Sequence, residues 1–320
     1  MKRILVTGAA GQVGSELVPA LRQVYGTAAV LATDIKPATG ILQEGPYQKL
    51  DCADPVALAE GLARHRPDTI YHLAALLSAN AEKAPQRAYA VNMGTLQNVL
   101  EAAREQKLAV FTPSSIGAFG PNTPRDPAPQ DTIQRPTTMY GVTKVAGELL
   151  CDYYHLRYQL DTRGVRYPGL ISYVALPGGG TTDYAVEIFY EAIENGKYTC
   201  FLGPDTQLDM MYMPDAVRAA IEIMEAPAER LEHRNAFNVT AMQLTPAGLA
   251  DLICAELPAF RIDYEIDPVR QRIADSWPRR LDDSAARREW NWKPEYDAPM
   301  MVKDMLRQLS SRLKPVAGEG

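Results

Sequence analysis

A short apolar run, Ile4-Leu5-Val6, leads into Thr7-Gly8-Ala9-Ala10-Gly11-Gln12-Val13-Gly14 and then into a helix-forming stretch. No other feature of the chain constrains its fold as strongly. A buried strand has to end where so tight a turn begins, and Gly8 can adopt backbone angles that a Cβ forbids. Gly11 lets the backbone come close to a pyrophosphate, and Gly14 lets the following helix pack against the strand. Free N–H groups at the helix start, at the positive end of its dipole, attract phosphate. Glycines at this spacing are unspecific by themselves. Placed after a strand, opening a helix, and followed by an acidic residue at the end of the next strand (Val30-Leu31-Ala32-Thr33-Asp34), they predict dinucleotide binding.

Asp34 refines that expectation. A carboxylate after the second strand accepts hydrogen bonds from the adenosine ribose hydroxyls and repels a 2′-phosphate, which selects NAD over NADP. Lys36, two residues on, softens the repulsion. Gly8, Gly11, Gln12, Val13, Gly14, Asp34 and Ile35 form the first group of expected cofactor contacts.

The bulk properties narrow the partners. A chain of 320 residues accommodates one large α/β domain, or one such domain with a smaller lobe. Its formal charge of −6 offers no basic field to nucleic acid or to an anionic membrane, so a small molecule is the expected partner. Cys52, Cys151, Cys200 and Cys254 are scattered without a C-x-x-C pair, which points to reduced thiols in the cytoplasm rather than disulfides or structural zinc. His65, His72, His155 and His233 are equally dispersed, so no metal site is expected. No apolar stretch is long enough to span a bilayer.

Strand and helix patterns alternate through the first half. Tyr47–Asp51, Thr69–Ala75 and Leu108–Ser114 read as strands; Pro55–Arg64, Pro85–Gln106 and Met139–Leu156 read as helices. Val91, Leu96, Val99 and Leu100 are spaced for a buried stripe on the longest of them. This rhythm predicts an α/β fold with a doubly wound parallel sheet of the Rossmann type. Residues 1–171 are assigned to the dinucleotide-binding domain, with part of the later chain returning to it. A smaller, mainly substrate-binding C-terminal lobe takes 172–313, and 314–320 form a frayed tail.

Tyr140 and Lys144 lie one helical turn apart on one face of the helix after the fifth strand. An ammonium within reach of a phenol favours the phenolate, which makes a general base for an alcohol. Of the sixteen tyrosines, Tyr140 alone has a lysine four places on. Ser114-Ser115 end the preceding strand, where α/β sheets bind ligands, and a serine hydroxyl there can orient the substrate oxygen. Ser115, Tyr140 and Lys144 are the expected catalytic residues.

Taken together, the glycine turn, Asp34, His72-Leu73-Ala74-Ala75, Val91-Asn92, Ser114-Ser115, and Tyr140 with Lys144 resemble the extended short-chain dehydrogenases/reductases over nearly the whole chain, as far as Leu281-Asp282-Asp283-Ser284 and Trp290-Asn291-Trp292. The resemblance implies that Asp51 contacts the adenine, that Leu73, Ala74 and Ala75 line the cofactor, that Asn92 braces the active site, and that Tyr167 and Pro168 approach the nicotinamide.

Within that group, many sugar-nucleotide epimerases carry an arginine that grips the diphosphate, where this chain has Leu208. An unneutralised diphosphate is poorly held. The segments Arg166–Tyr173 and Pro177-Gly178-Gly179-Gly180-Thr181-Thr182-Asp183-Tyr184-Ala185 instead resemble the short-chain-type L-threonine 3-dehydrogenases. Glycines bring backbone N–H groups to a ligand, and threonine hydroxyls ahead of a helix suit a small carboxylate. Gly180, Thr181 and Thr182 are therefore expected to hold the substrate along with Ser115 and Tyr140, with Ser78 on the opposite wall and Trp277 closing over it. The resemblance implies NAD-dependent oxidation of the threonine β-hydroxyl in a homodimer packed through Pro85–Gln106 and Tyr140–Arg157. The alternatives are a sugar-nucleotide epimerase or dehydratase and, from another class, a non-catalytic NAD sensor, for which an intact Ser115/Tyr140/Lys144 set has no use.

Overall fold

Parallel strands buried on both faces build the first half of the molecule, a computed structural model that describes residues 1–176, 178 and 180–313. The tail expected at 314–320 lies outside the described residues. Ile4–Thr7 (β1), Val30–Asp34 (β2), Tyr47–Lys49 (β3), Thr69–His72 (β4) and Ala109–Phe111 (β5) are followed by Ser114–Ser115 (β6), Thr162–Arg163 (β7) and Val165–Tyr167 (β8). The large sheet has the order β3-β2-β1-β4-β5-β7, all parallel, and every residue of β1, β2 and β4 is buried. The expected doubly wound α/β fold is present.

The helices between these strands follow local signals. Gly14–Tyr25 (α1) leaves the glycine turn directly. Pro55–His65 (α2) is capped by Asp54, whose carboxylate accepts the N–H groups of Val56 and Ala57. A short helix, Ser78–Lys83 (α3), precedes Pro85–Gln106 (α4), which has the expected ends. Its buried stripe holds Leu96, Val99 and Leu100, but Val91 is only half-buried. Met139–Tyr158 (α5) is capped by the Thr138 hydroxyl, which accepts the Gly141 N–H at 3.1 Å.

The strand expected over Leu108–Ser114 is broken in two. Pro113 has no N–H for the ladder. Opposite it, a Cβ on Gly164 would stand 2.2 Å from the Thr112 carbonyl oxygen, so β7 and β8 break there as well. Beyond the break β6 and β8 pair again, in parallel, in a second sheet with Phe237–Asn238, so that Ser115 and Tyr167 sit side by side at its end.

The later chain alternates between two cores. Its strands are Gly169–Ile171 (β9), Lys197–Cys200 (β10), Leu208–Tyr212 (β11), Phe237–Asn238 (β12), Met242–Leu244 (β13) and Arg261–Tyr264 (β14). Its helices are Tyr184–Glu194 (α6), Met213–Glu225 (α7), Pro246–Glu256 (α8), Pro268–Ser276 (α9), Ser284–Trp290 (α10) and Ala298–Leu313 (α11). β11 lies between β9 and β13, and with the period of two of a strand it feeds both cores. Leu208, Met210 and Tyr212 pack with α6, α8 and α11, whereas Met211 and Met213 pack with β1 and α1. Helix α7 covers α1, and Trp290 and Trp292 complete that same core. Asp209, buried among these side chains, accepts hydrogen bonds from Thr240, Gln243 and the Leu281 N–H, and burial pushes its carboxyl up to about 7.

Candidate active site

Several loops at one end of the large sheet enclose a cavity of about 560 Å³. One end is formed by the glycine turn. Gly8 has a φ of +69°, and a Cβ there would lie 2.6 Å from the Ala74 nitrogen, so the turn admits only glycine. Gly14 is equally fixed: a Cβ would stand 2.5 Å from the Gly8 carbonyl oxygen. Gly8, Gly11, Gln12, Val13 and Gly14 line the cavity. The Gly11 N–H is taken by the Gly8 carbonyl and the Ala10 N–H by Asp34. The N–H groups of Gln12, Val13 and Gly14 have no backbone partner among the described residues, which leaves donors at the positive end of α1 for an anion.

Asp34 stands just behind this turn rather than on the cavity wall. Its two carboxylate oxygens accept the Ala10 and Lys36 N–H groups, both at 3.0 Å, and each keeps a further lone pair. Lys36 does line the cavity. Ile35 and Asp51 are exposed outside it, the latter turned to the Ala53 N–H.

The central part is built from β4, β6 and α5. Leu73 and Ala75 line it; Ala74 backs the glycine turn. Ser115, Tyr140 and Lys144 meet here. The Ser115 Oγ accepts the Gly117 N–H at 3.1 Å, which aims the serine from its strand end. The Tyr140 ring passes directly over Gly117, where a Cβ would be 3.2 Å from the ring. Lys144 Nζ lies 5.4 Å from the Tyr140 ring centroid and donates to the Pro113 carbonyl at 2.7 Å. Tyr167 and Pro168 close this part from β8.

Asn92 lies behind the cavity wall. Its side chain clamps the Leu76 backbone in both directions (2.7 and 3.2 Å) and donates to Thr143 Oγ1 at 3.1 Å. Thr143 in turn donates to the Tyr140 carbonyl at 2.8 Å. His72, fully buried between Thr7 and Thr95, is pushed down to about 3 by burial and by the charge of Lys144, so it is neutral at physiological pH.

The far end is the expected substrate wall. Ser78, Gly180, Thr181, Thr182 and Trp277 all line it. The Gly180 N–H is held by Asp183 at 2.7 Å, and Thr182 begins the turn into α6. Gly179 lies outside the described residues. Arg125 donates to the Trp277 carbonyl at 3.2 Å and so ties the proline-rich stretch of residues 121–136 to this wall. Among the described residues no arginine lines the cavity, and Leu208 is buried in the core instead of facing it.

Sequence reasoning missed several residues of the site. Asn80, Ile116, Leu170, Ala175 and Leu176 also contribute to the wall. Glu148 lies beneath it, four residues beyond Lys144, in a buried ion pair with Arg166 at 2.8 Å. A carboxylate one turn past the lysine on the same helix was the signal that could have located it.

Comparison with known proteins places this geometry. The family described as the NAD dependent epimerase/dehydratase family matches residues 4–240. An uncharacterized epimerase/dehydratase of Staphylococcus saprophyticus is 53% identical over 316 residues, covering 98% of this chain and 99% of the relative. The structure is similar to that of an L-threonine dehydrogenase from Clostridium difficile, with a TM-score of 0.96 and 54% identity over 98% of both chains. It is also similar to a monomeric L-threonine 3-dehydrogenase from a metagenome database, with a TM-score of 0.93 and 42% identity over 97% of this chain and 99% of that one.

Proposed function

Because the chain belongs to the NAD dependent epimerase/dehydratase family, among the extended short-chain dehydrogenases/reductases, we propose that it is an NAD-dependent L-threonine 3-dehydrogenase. The observation that carries the choice of substrate is the charge of the cavity wall. Lys36 stands at the dinucleotide end and Lys144 at the centre, while the far end offers threonine hydroxyls beside the Asp183 carboxylate, without an arginine. Hydroxyl donors beside a carboxylate suit a small amino acid, and a sugar-nucleotide diphosphate is left without its cation. The solved neighbours named as L-threonine dehydrogenases support the same reading.

In this reading residues 1–171 hold mainly the dinucleotide and 172–313 mainly the substrate. The Gln12 and Val13 N–H groups would hold the pyrophosphate and Asp34 the ribose, with Asp51, outside the cavity, toward the adenine. A bound nicotinamide dinucleotide supplies the acceptor for the hydride that leaves the substrate β-carbon. Tyr140 Oη takes the proton of the β-hydroxyl, and Ser115 Oγ holds that oxygen in line. Lys144 places its positive charge beside the phenol, anchored by the Pro113 carbonyl. Asn92 braces Tyr140 through Thr143. Thr181 and Thr182 receive the carboxylate next to Gly180, with Ser78 and Trp277 on the surrounding wall. Tyr167 and Pro168 back the nicotinamide end. The product is 2-amino-3-ketobutyrate.

A second copy of the chain is the proposed partner. Val142, Leu149, Tyr153 and Leu156 expose one face of α5, and Tyr89 adds to it from α4; Leu156 is 75% exposed. Four unpaired cysteines fit a reducing cytoplasm, and no described helix is long and apolar enough to cross a membrane. The deciding experiment follows NADH absorbance with NAD and L-threonine, beside L-serine and a UDP-sugar. Rapid NADH formation with threonine, abolished in Tyr140→Phe with cofactor binding retained, is the expected result. Conversion of the UDP-sugar with no response to threonine would refute the assignment.

A further inference from the structure

The mechanism above leaves unused a partly buried carboxylate next to the glycine turn. Glu16 lies in the first turn of α1, two residues beyond Gly14 of the cavity wall. A carboxylate so placed shares the positive helix end with the anion bound there. Its Oε1 accepts a hydrogen bond from the Ser172 hydroxyl, whose residue is fully buried directly after β9. The Ser172 Oγ also accepts the Val174 N–H at 3.1 Å and the Ala175 N–H at 3.5 Å. Ala175 and Leu176 belong to the cavity wall near Gly180–Thr182. One hydroxyl therefore joins the anion-binding helix to the backbone of the substrate wall.

The surroundings make this contact specific. Arg312 of α11 donates to the Tyr173 carbonyl at 2.6 Å, stacks over the Tyr173 ring at 4.8 Å, and places its charge toward Glu16. Tyr173, and Tyr212 of β11 with Asp304 of α11 behind it, are the other ionisable groups on this side. Burial pushes the Glu16 carboxyl up to about 7 against the opposing effects of the Ser172 hydrogen bond and Arg312.

We propose that Glu16 is a positioning residue that couples the two ends of the cavity, so that dinucleotide at the start of α1 and substrate against residues 180–183 reinforce each other through the Glu16–Ser172 hydrogen bond. The inference rests on the threonine dehydrogenase reading for its substrate arm. Dinucleotide phosphates bound two residues away also oppose the negative charge of Glu16, so cofactor binding draws a proton onto it near neutral pH.

The substrate arm uses Tyr140→Phe as background to prevent turnover, with the NAD Kd read from quenching of tryptophan fluorescence. Saturating L-threonine is expected to tighten NAD about tenfold in that background, within the usual range of coupling between sites. Glu16→Ala and Ser172→Ala each reduce the tightening to about twofold or less and leave the threonine-free Kd within about twofold. Glu16→Gln, which still accepts from Ser172, retains it. Tightening that survives both alanine substitutions overturns the proposal, as does its absence from the background when the unsubstituted enzyme oxidises threonine. The second arm needs no substrate. Heats of NAD binding in two buffers of different ionisation enthalpy near pH 7 should show proton uptake in the unsubstituted chain and none in Glu16→Gln. Equal uptake in both removes Glu16 from the coupling. Failure of the unsubstituted enzyme to oxidise threonine refutes the substrate assignment and leaves this second arm to decide the proposal.

Discussion

Removing the Glu148 carboxylate strands a buried charge, and the cost can be worked out from its partners. Glu148 Oε1 accepts from the Ser114 hydroxyl and from Arg166 Nε at 3.0 Å; Oε2 accepts from Arg166 Nη2 at 2.8 Å and Gln134 Nε2 at 2.7 Å. The side chains of Arg166 and Glu148 are only 8% and 5% exposed. In Glu148→Ala the guanidinium keeps the Gln130 carbonyl and Asn238 Oδ1 but loses the carboxylate paired with it, with Asp152 the charge still in reach. Breaking a buried pair from one side costs about 3–5 kcal/mol. At about 2.1 cal/mol/K of unfolding entropy per residue, a chain of 320 residues loses about 4–7 °C of Tm. Thermal unfolding of Glu148→Ala, Arg166→Ala and the double variant measures this. The double variant should cost at least about 1 kcal/mol less than the two singles summed, because its second substitution removes the charge that the first stranded. Additivity within about 0.5 kcal/mol, or a Glu148→Ala midpoint within about 1 °C of the unsubstituted chain, would refute the buried-charge reasoning.

Other consequences are independent of that pair. Asp34→Asn keeps an acceptor for the Ala10 N–H but removes the charge. The ratio of kcat/KM for NADP to that for NAD should therefore rise at least about tenfold, and an unchanged ratio rules out Asp34 as the selector. His233 bridges Glu289 at 2.6 Å and Asp131 at 3.2 Å; burial lowers its proton affinity, but the hydrogen bonds and charges of both carboxylates outweigh that and raise its pKa. A raised folded-state pKa contributes stability that is complete below the ordinary imidazole value of about 6.5 and is lost as pH rises through the folded value. The Tm advantage of the unsubstituted chain over His233→Gln should therefore shrink from pH 6 to pH 9, and parallel profiles would contradict the assignment. Leu149→Glu puts a charge in the middle of the exposed α5 face and should turn dimers into folded monomers in sedimentation velocity. A chain that sediments as a monomer without the substitution, or as a dimer with it, has no interface there.

The parts of the fold that were legible in the sequence are those whose causes are local. Pro85 in the first turn of α4 and Lys107 in the left-handed region at its end, with a φ of 56°, punctuate that helix, and its expected bounds match those observed. Asp54 and Thr138 mark two further helix starts by side-chain caps. The break at Thr112-Pro113 was written in the sequence but outweighed by the apolar run before it, Leu108 to Phe111. β11 was not separable by pattern. It is buried on both faces between two cores, so Leu208-Asp209-Met210-Met211-Tyr212 shows no polar alternation to reveal a strand. Asp209 makes the run look like a loop, and the partners that allow its burial lie as far as 72 residues away.

The same distinction runs through the candidate site. Tyr140 and Lys144 lie on one helical turn, and Gly8 to Gly14 on one strand–turn–helix, so their spacing carries their geometry. Ser115 depends on the strand end alone. What the spacing cannot carry is how these local pieces are held against one another. Ser114 reaches Glu148 across 34 residues, Arg125 reaches Trp277 across 152, and Ser172 reaches Glu16 across 156. Each contact ties a segment beside the cavity to a distant element, and none has a period that a sequence could display. The residues proposed for catalysis and for the cofactor phosphates are thus the ones recognisable by type and spacing. Those that join distant elements around the cavity, Glu16 and Glu148 among them, become visible once the chain is folded, because the sequence keeps their partners apart.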